Sequence, residues 1–422
     1  MKRNYYIVAL IMLTFFVISF ITNVIGPLNP DFIKDFNLSY SLAALLPFAF
    51  FIAYGVMSIP TGMLLEKYNE KKIMTAAFVV AFFGALLLAV IPNYLTTILS
   101  LFLIGCGMAM LQVVINPLLR TSGGEENYAF TSVLAQLIFG AASFLSPLVY
   151  SYMVLNLKKS KATGLLSVFN ATVPANLPWI SLYWLFALLC LLMIVVIMVS
   201  KFPKVELKTD EKAGPWATHV MLFNKPVVIL FFLAMLSYVG TEQGIANWMS
   251  QFLWLYHKYN PQVTGANAVA YFWGLMTAGG VIGLLLLKVM DSRRVLILFT
   301  VLALISLTFA IFGGTEKIKL LDGADISLIA FPVTGFFASV MYPIIFSLAL
   351  NSVDEHHGSF SGILVTGIIG GAVIPFVIGS VSDLLGLRIG MLFLYVTLGY
   401  ILSIGFWAKP IITNKTIFDP KA

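Results

Sequence analysis

Twelve apolar segments, each about as long as a membrane-crossing helix, limit the fold of this chain more than any other feature. A helix needs about 20 residues to cross a hydrocarbon core about 30 Å thick. Lipid cannot pair backbone polar groups, so a chain that crosses it must use helices or a closed barrel, and apolar runs of this length indicate helices. We place the predicted spans near residues 5–28, 41–65, 72–92, 94–118, 127–155, 179–200, 226–256, 265–288, 293–313, 326–350, 359–382 and 387–408.

The composition excludes a soluble globular protein. Of the 422 residues, 60% are hydrophobic and only 10% are charged, whereas soluble domains carry about 25% charged residues. Such a chain cannot cover itself with polar groups, so the lipid bilayer must be its main solvent. The net charge of +7 is carried in the loops without an interleaved aromatic patch, and we read it as a sign of topology and not of nucleic-acid binding.

The most hydrophilic connection falls after the sixth predicted span. It covers 201–225 and predicts an N-terminal six-helix bundle over 1–200, a cytoplasmic linker, and a C-terminal six-helix bundle over 226–422. Two bundles that rock around a site at the bilayer midplane are typical of secondary transporters. The sequence therefore predicts an all-α transporter rather than a channel, and a monomer, because both bundles lie in one chain.

Lysine and arginine are unevenly distributed between the two sides. With the N-terminus inside, the inner loops hold Lys2, Arg3, Lys67, Lys71, Lys72, Arg120, Lys201, Lys204, Lys208, Lys212, Lys225, Lys288, Arg293, Arg294, Lys409, Lys415 and Lys421. The outer loops hold Lys34, Lys158, Lys159, Lys161, Lys258, Lys317, Lys319 and Arg388. Despite the cluster at 158–161, this bias predicts a multi-pass protein of a bacterial inner membrane with both termini cytoplasmic.

The sequence offers no signature of an enzyme, a cofactor site or a structural metal site. Cys106 and Cys190 lie in apolar runs without partners at metal or redox spacing, and His356 and His357 are typical of a solvated loop. The spans lack a nucleophile and base pair, and the glycine-rich runs follow no strand, so we read them as helix-packing positions.

Glu242 is the only carboxylate within the predicted spans. Ionisable residues inside a membrane are costly and usually functional, so we expect Glu242 to bind a coupling proton or Na⁺, or to accept hydrogen bonds from a substrate. The alternative is a buried glutamate that only packs the seventh span against a neighbour.

Uncharged polar and aromatic side chains accompany this acid. Amides both donate and accept hydrogen bonds, as sugar hydroxyls require, although amides also tie helices together. No lysine or arginine lies deep in a span to pair with an anionic substrate, which favours a neutral sugar. The predicted substrate-binding residues are Asn23, Gln112, Asn116, Gln136, Glu242, Gln243, Asn247, Trp248 and Tyr342.

Short motifs in both halves resemble those of the fucose-permease-like sugar symporters of the major facilitator superfamily. They are Ile21-Thr22-Asn23-Val24, Asn116-Pro117, Ala135-Gln136, Tyr238-Val239-Gly240, Tyr342-Pro343-Ile344-Ile345-Phe346-Ser347-Leu348, and Gly370-Gly371-Ala372-Val373-Ile374-Pro375 through Ser382-Asp383. The resemblance implies a twelve-helix carrier that moves a sugar together with H⁺ or Na⁺ by alternating access.

Two acids of that family are missing here. The fucose permeases have Asn-Asp after the helix 1 motif, where this chain has Ile25 and Gly26, and a glutamate four residues before Asn-Pro, where this chain has Gln112. We therefore expect the cation site to involve Glu242 and Gln112, with Na⁺ near Glu242 if sodium is the ion. An exporter of drugs or metabolites and a sugar uniporter remain alternatives.

Overall fold

The computed structural model describes residues 4–124, 128–157, 164–202, 216–315 and 324–411. Within these residues, twelve helices are long and apolar enough to cross a membrane, as the sequence predicts. We number these helices as spans 1 to 12: Tyr5–Asp35, Tyr40–Leu65, Glu70–Val90, Tyr94–Gly123, Phe130–Asn156, Pro178–Val199, Pro226–His257, Pro261–Leu286, Ser292–Phe312, Ile326–Leu350, His357–Leu385 and Leu387–Trp407. Two short helices, Leu165–Thr172 and Trp216–Phe223, lie in the connections.

Polar residues in the short turns start several spans. The side chain of Ser39 caps span 2, Asn69 caps span 3, and Asp325 caps span 10, each accepting a hydrogen bond from a backbone N–H of the first turn. Asn93 and Thr96 form a reciprocal capping box at span 4. These caps satisfy donors that a helix start leaves free, so the spans begin close to where the polar punctuation predicts.

Three spans are interrupted in mid-membrane. Span 1 consists of helices Tyr5–Thr22 and Ile25–Asp35, and span 10 of Ile326–Ala338 and Met341–Leu350. Span 11 contains a 3₁₀ turn at Gly367–Ile369. In spans 1 and 10, Pro27 and Pro343 lie in the first turn after the break, where a missing N–H costs little. Broken helices at membrane depth are typical of transporter binding sites.

Many of the spans that pack together are not consecutive in the chain. Spans 1–5, 2–4, 3–4 and 3–6 are neighbours in the first six spans, and spans 7–11, 7–12, 8–10, 9–10 and 9–12 in the last six. The two groups meet where span 1 crosses span 7, span 2 crosses span 11 and span 5 crosses span 8. Gly26 permits the first crossing, because a Cβ there would overlap the main-chain carbonyl of Ala246. Whether the groups form two separate bundles stays a prediction.

Most of the linker predicted at 201–225, together with Lys158, Lys159 and Lys161, falls outside the described residues. The number of spans is even, so the chain returns to the side on which it starts. The start of span 1 and the end of span 12 therefore lie on the same face of the molecule. We call that face the terminal side and the opposite face the far side.

The predicted end of span 1 at residue 28 is wrong. The helix continues to Asp35 and places Asp31 inside the span with only 6% of its surface exposed, so Glu242 is not the only carboxylate in the spans. The polar, proline-containing segment after residue 28 suggested a loop. Asn29 and Asp31 are instead paired inside the protein, where lipid hydropathy does not apply.

Candidate functional site

A cavity of about 570 Å³ lies between the first six and the last six spans. Its volume is within the range of about 300–1,000 Å³ that small-molecule sites occupy. Spans 1, 2, 4 and 5 line one wall, and spans 7, 8, 10 and 11 line the other. The breaks of spans 1 and 10 and the 3₁₀ turn of span 11 all reach the lining, through Asn23, Ser339, Val340 and Ile368.

The cavity lies toward the terminal side of the membrane. Its lining residues fall late in spans 4, 8 and 10, which run from the far side to the terminal side, and early in span 5, which runs the other way. Gln136 in span 5 and Asn116 in span 4 are exposed, although both belong to membrane-spanning helices. The cavity is therefore accessible from the terminal side.

Four predicted amides line the wall formed by the first six spans: Asn23, Gln112, Asn116 and Gln136. Asn23 is fixed by its side-chain N–H groups, which donate to Ser143 Oγ at 2.8 Å and Ser19 Oγ at 3.3 Å. Asn116 makes one long bond, to the carbonyl oxygen of Gln112 at 3.4 Å. In the described part of the chain, the side chains of Gln112 and Gln136 have no hydrogen-bond partner. These amides are available to a ligand.

The predicted acid lies on the opposite wall. Glu242 lines the cavity, and its Oε1 accepts a hydrogen bond of 3.1 Å from Gln243 Nε2. The hydroxyl of Tyr238, one helical turn away, also faces the carboxylate. The ring of Tyr342 lies 5.8 Å from that of Tyr238 and continues the same wall. In this site, a carboxylate with polar and aromatic neighbours on one wall of the cavity lies opposite the four amides on the other wall.

Two predicted site residues do not line the cavity. Asn247 is 1% exposed, and its amide N–H donates to the carbonyl oxygen of Gln243 at 2.8 Å. Trp248 is fully buried, and its Nε1 donates to the carbonyl oxygen of Pro375 at 3.1 Å. Both side chains pack span 7 toward the far side, so we do not include them in the candidate site.

Other lining residues were not among the predicted ones. Trp273 in span 8 is 4% exposed and lines the cavity, and its buried Nε1 has no hydrogen-bond partner among the described residues. Tyr54, Ser143 and Thr277 also contribute to the lining. Trp273 carries a signal in the sequence, as a tryptophan inside a span. Ser143 and Thr277 carry no such signal, because serine and threonine also occur throughout the other spans.

The charge of the site is set by Glu242 alone. Among the lining residues that the structure describes, none is lysine, arginine or histidine. The described ranges also contain no group of three or more His, Cys, Asp or Glu side chains that could hold a metal ion. A buried anion would therefore lack a counter-charge in this cavity, whereas a neutral polar molecule would find both donors and acceptors.

The far side is closed where the two groups of spans meet. Asn29 Nδ2 of span 1 donates to the carbonyl oxygen of Asn247 at 2.9 Å, and Gln262 Nε2 of span 8 donates to Asp31 Oδ1 at 3.1 Å. The carboxylate of Asp383 in span 11 accepts the backbone N–H groups of Tyr40 and Ser41 at 2.7 and 3.0 Å. We call these three contacts the far seam.

The fold and the sequence match known membrane carriers. The chain is 29% identical over 415 residues to a protein named glucose/galactose transporter from Brucella abortus, covering 96% of this chain and 94% of that protein. It is 27% identical over 405 residues to the L-fucose-proton symporter of Escherichia coli, covering 91% and 89%. A crystal structure of the transporter FucP in the outward conformation superposes with a TM-score of 0.67 at 24% identity, covering 95% and 98%.

A family model described as Major Facilitator Superfamily matches residues 11–373, which is most of the chain and extends over both groups of spans. The match agrees with the twelve spans, the broken helices at mid-membrane and the cavity between the two groups. The chain belongs to the Major Facilitator Superfamily.

Proposed function

We propose that this protein imports a neutral sugar together with H⁺ or Na⁺ by alternating access, with the terminal side facing the cytoplasm. The observation that carries the proposal is the cavity itself, in which free amides on one wall face a single carboxylate on the other. Sugar hydroxyls donate and accept hydrogen bonds at once, and amides match both roles. The names of the two relatives, a glucose/galactose transporter and a fucose-proton symporter, support the same substrate class.

We assign cation coupling to Glu242. A carboxylate can hold a proton, and it can also contribute to an oxygen-lined site for a hard cation such as Na⁺. Because Glu242 lies on the last six spans and the free amides lie on the first six, a sugar and a cation bound together would draw the two walls together. In this assignment, closure of the terminal side requires both ligands.

The decisive measurement is uptake into proteoliposomes under an imposed gradient. A panel of hexoses, deoxyhexoses and amino sugars is tested first with only a pH gradient and then with only a Na⁺ gradient. Accumulation driven by one gradient identifies both substrate and ion. Counterflow of a sugar without accumulation under either gradient would instead establish a uniporter, and transport only of apolar cations would establish an exporter of drugs.

Glu242→Gln tests the coupling residue. We expect this substitution to abolish gradient-driven accumulation while leaving counterflow partly intact, because the amide keeps the shape but cannot exchange a proton. Glu70→Gln is the matched control, since Glu70 is also buried, at the start of span 3, but does not line the cavity. Undiminished accumulation by Glu242→Gln would place the coupling site elsewhere.

A further inference from the structure

The far seam contains a buried carboxylate that the proposed transport site does not use. Asp31 lies in the second helix of span 1, beyond the cavity, and its two oxygens have different partners. Oδ2 accepts a hydrogen bond of 2.6 Å from the hydroxyl of Tyr150 in span 5, within the same group of spans. Oδ1 accepts a bond of 3.1 Å from Gln262 Nε2 in span 8, across the seam.

The contact with Tyr150 fixes the carboxylate within its own group of spans. Tyr150 is fully buried, and the bond between them is short, as expected for a hydroxyl that donates to a charged oxygen. If the far side opens, Asp31 stays bound to Tyr150 and only the bond to Gln262 breaks. The acceptor is then already in position when the seam closes again.

The neighbouring acid on the same helix does not reach across the seam. Asp35, one turn later, accepts a hydrogen bond of 2.7 Å from Trp179 Nε1 in span 6, which belongs to the same group of spans. The charged neighbours of Asp31 on its own helix are Lys34 and Asp35. Of the two acids, Asp31 alone is bonded to the opposite group.

The seam closes tightly around this contact. One turn of helix away from Asp31, Gly26 packs against the main chain of Ala246, and Asn29 donates to the carbonyl oxygen of Asn247. Asp383 also bridges the two groups, but its side chain is exposed to solvent, where a charged contact contributes little. The bond between Asp31 and Gln262 is partly buried, so water screens it less than the exposed contact of Asp383.

We propose that Asp31 and Gln262 form the latch that holds the far side closed, and that release of Gln262 from Asp31 accompanies opening of that side. The latch is independent of which sugar or ion the protein carries. The bond joins the amide donor of Gln262 to an oxygen of Asp31, so replacing that donor with an acceptor shifts the balance between far-side-closed and far-side-open molecules.

Spin labels on the far surface can measure this balance in the purified, full-length protein without any substrate. Leu95 at the start of span 4 and Phe312 at the end of span 9 are 75% and 56% exposed, lie on the far side and belong to opposite groups. Cysteines at these two positions are labelled and their separation is measured by double electron–electron resonance. Cys106 and Cys190 are buried, so the chain without the added cysteines serves as the labelling blank.

Gln262→Glu replaces the amide donor with a second carboxylate next to Asp31. We expect this substitution to raise the fraction of molecules with the long, far-side-open distance about tenfold. Gln262→Leu, which removes the donor, should act in the same direction. The turn around residue 262 should persist in both variants, because its backbone N–H is bonded to Asn260 Oδ1. Adding Asp31→Asn to Gln262→Glu restores a donor facing a carboxylate and should return the short distance.

Asp35→Asn is the matched control and should leave the distance distribution unchanged. An unaltered distribution in Gln262→Glu would overturn the latch, as would failure of Asp31→Asn to reverse the effect of Gln262→Glu. A variant that merely unfolds would lose its elution peak in size-exclusion chromatography, and the reversal by a second substitution separates the latch from general damage.

Discussion

The carboxylate of Glu242 is surrounded by groups that can pair with either of its protonation states. Gln243 Nε2 donates to it, and the hydroxyl of Tyr238 can donate to a carboxylate or accept from a carboxylic acid. In a span, an acid without such partners would be strongly destabilising. The neighbouring residues therefore explain how a glutamate persists at membrane depth.

Two tryptophans, one lining the cavity and one buried outside it, provide a test of the candidate site. We expect Trp273→Phe to reduce the change in tryptophan fluorescence on sugar binding and to weaken binding about tenfold, because Trp273 lines the cavity and its N–H lacks a protein partner. Trp248→Phe is the control, since that indole is buried outside the cavity and already donates to Pro375. Equal fluorescence changes in both variants would remove Trp273 from the site.

The nature of the site residues could be predicted from the sequence better than their position. Polar groups in apolar spans drew attention to Gln112, Gln136 and Glu242, and all three line the cavity, because few other places in a membrane tolerate them. Asn247 and Trp248 lie about one turn further along span 7 and are buried outside the cavity. Sequence cannot separate these two environments, because both are buried in protein.

At the scale of elements, the interrupted spans and the close crossings determine where the cavity lies. Hydropathy predicted the number and approximate position of the spans, because lipid imposes a length on each one. It failed at the end of span 1, where Asn29, Pro30 and Asp31 suggested a loop. A helix that packs against protein can carry such residues, and only their partners in the fold reveal this.

The crossing of spans 1 and 7 gives a second prediction. Gly26→Ala places a methyl group against the main-chain carbonyl of Ala246, so the spans cannot approach as they do here. We expect the far side to be held apart and transport to fall at least tenfold. The spin-label distance across the far side should report the first effect, and counterflow should report the second.

Gly399→Ala in span 12 is the matched substitution. Among the described residues, and apart from its chain neighbours and the backbone of its own helix, no atom lies within 4 Å of the position that its added methyl would occupy. Transport by this variant should equal that of the unsubstituted protein. Normal transport by Gly26→Ala would show that the crossing is not needed in the cycle.

For the whole molecule, the structure represents one stage of a cycle, with the far side closed and the cavity accessible from the terminal side. Gln136→Cys tests both this state and the orientation of the chain. The cysteine is exposed in the cavity and should react rapidly with a membrane-impermeant maleimide, whereas the buried Cys106 and Cys190 should not. With the terminal side cytoplasmic, labelling should occur in inside-out vesicles and not in right-side-out vesicles.

The same measurement reports on ligand binding. A sugar together with the coupling ion should protect Gln136→Cys from the reagent if the two ligands draw the cavity walls together. Fast labelling from the external surface would reverse the proposed orientation and make the present state an outward-facing one.

The placement of amides and acid on opposite walls has a consequence for how such a carrier can diversify. In the proposed function, substitutions of the amides in spans 1, 4 and 5 change sugar recognition, while substitutions of Glu242 in span 7 change the response to the ion gradient. The proposal thus assigns the two properties to separate stretches of the sequence. We therefore expect that sugar preference can be altered by substitutions in spans 1, 4 and 5 while the coupling ion stays the same.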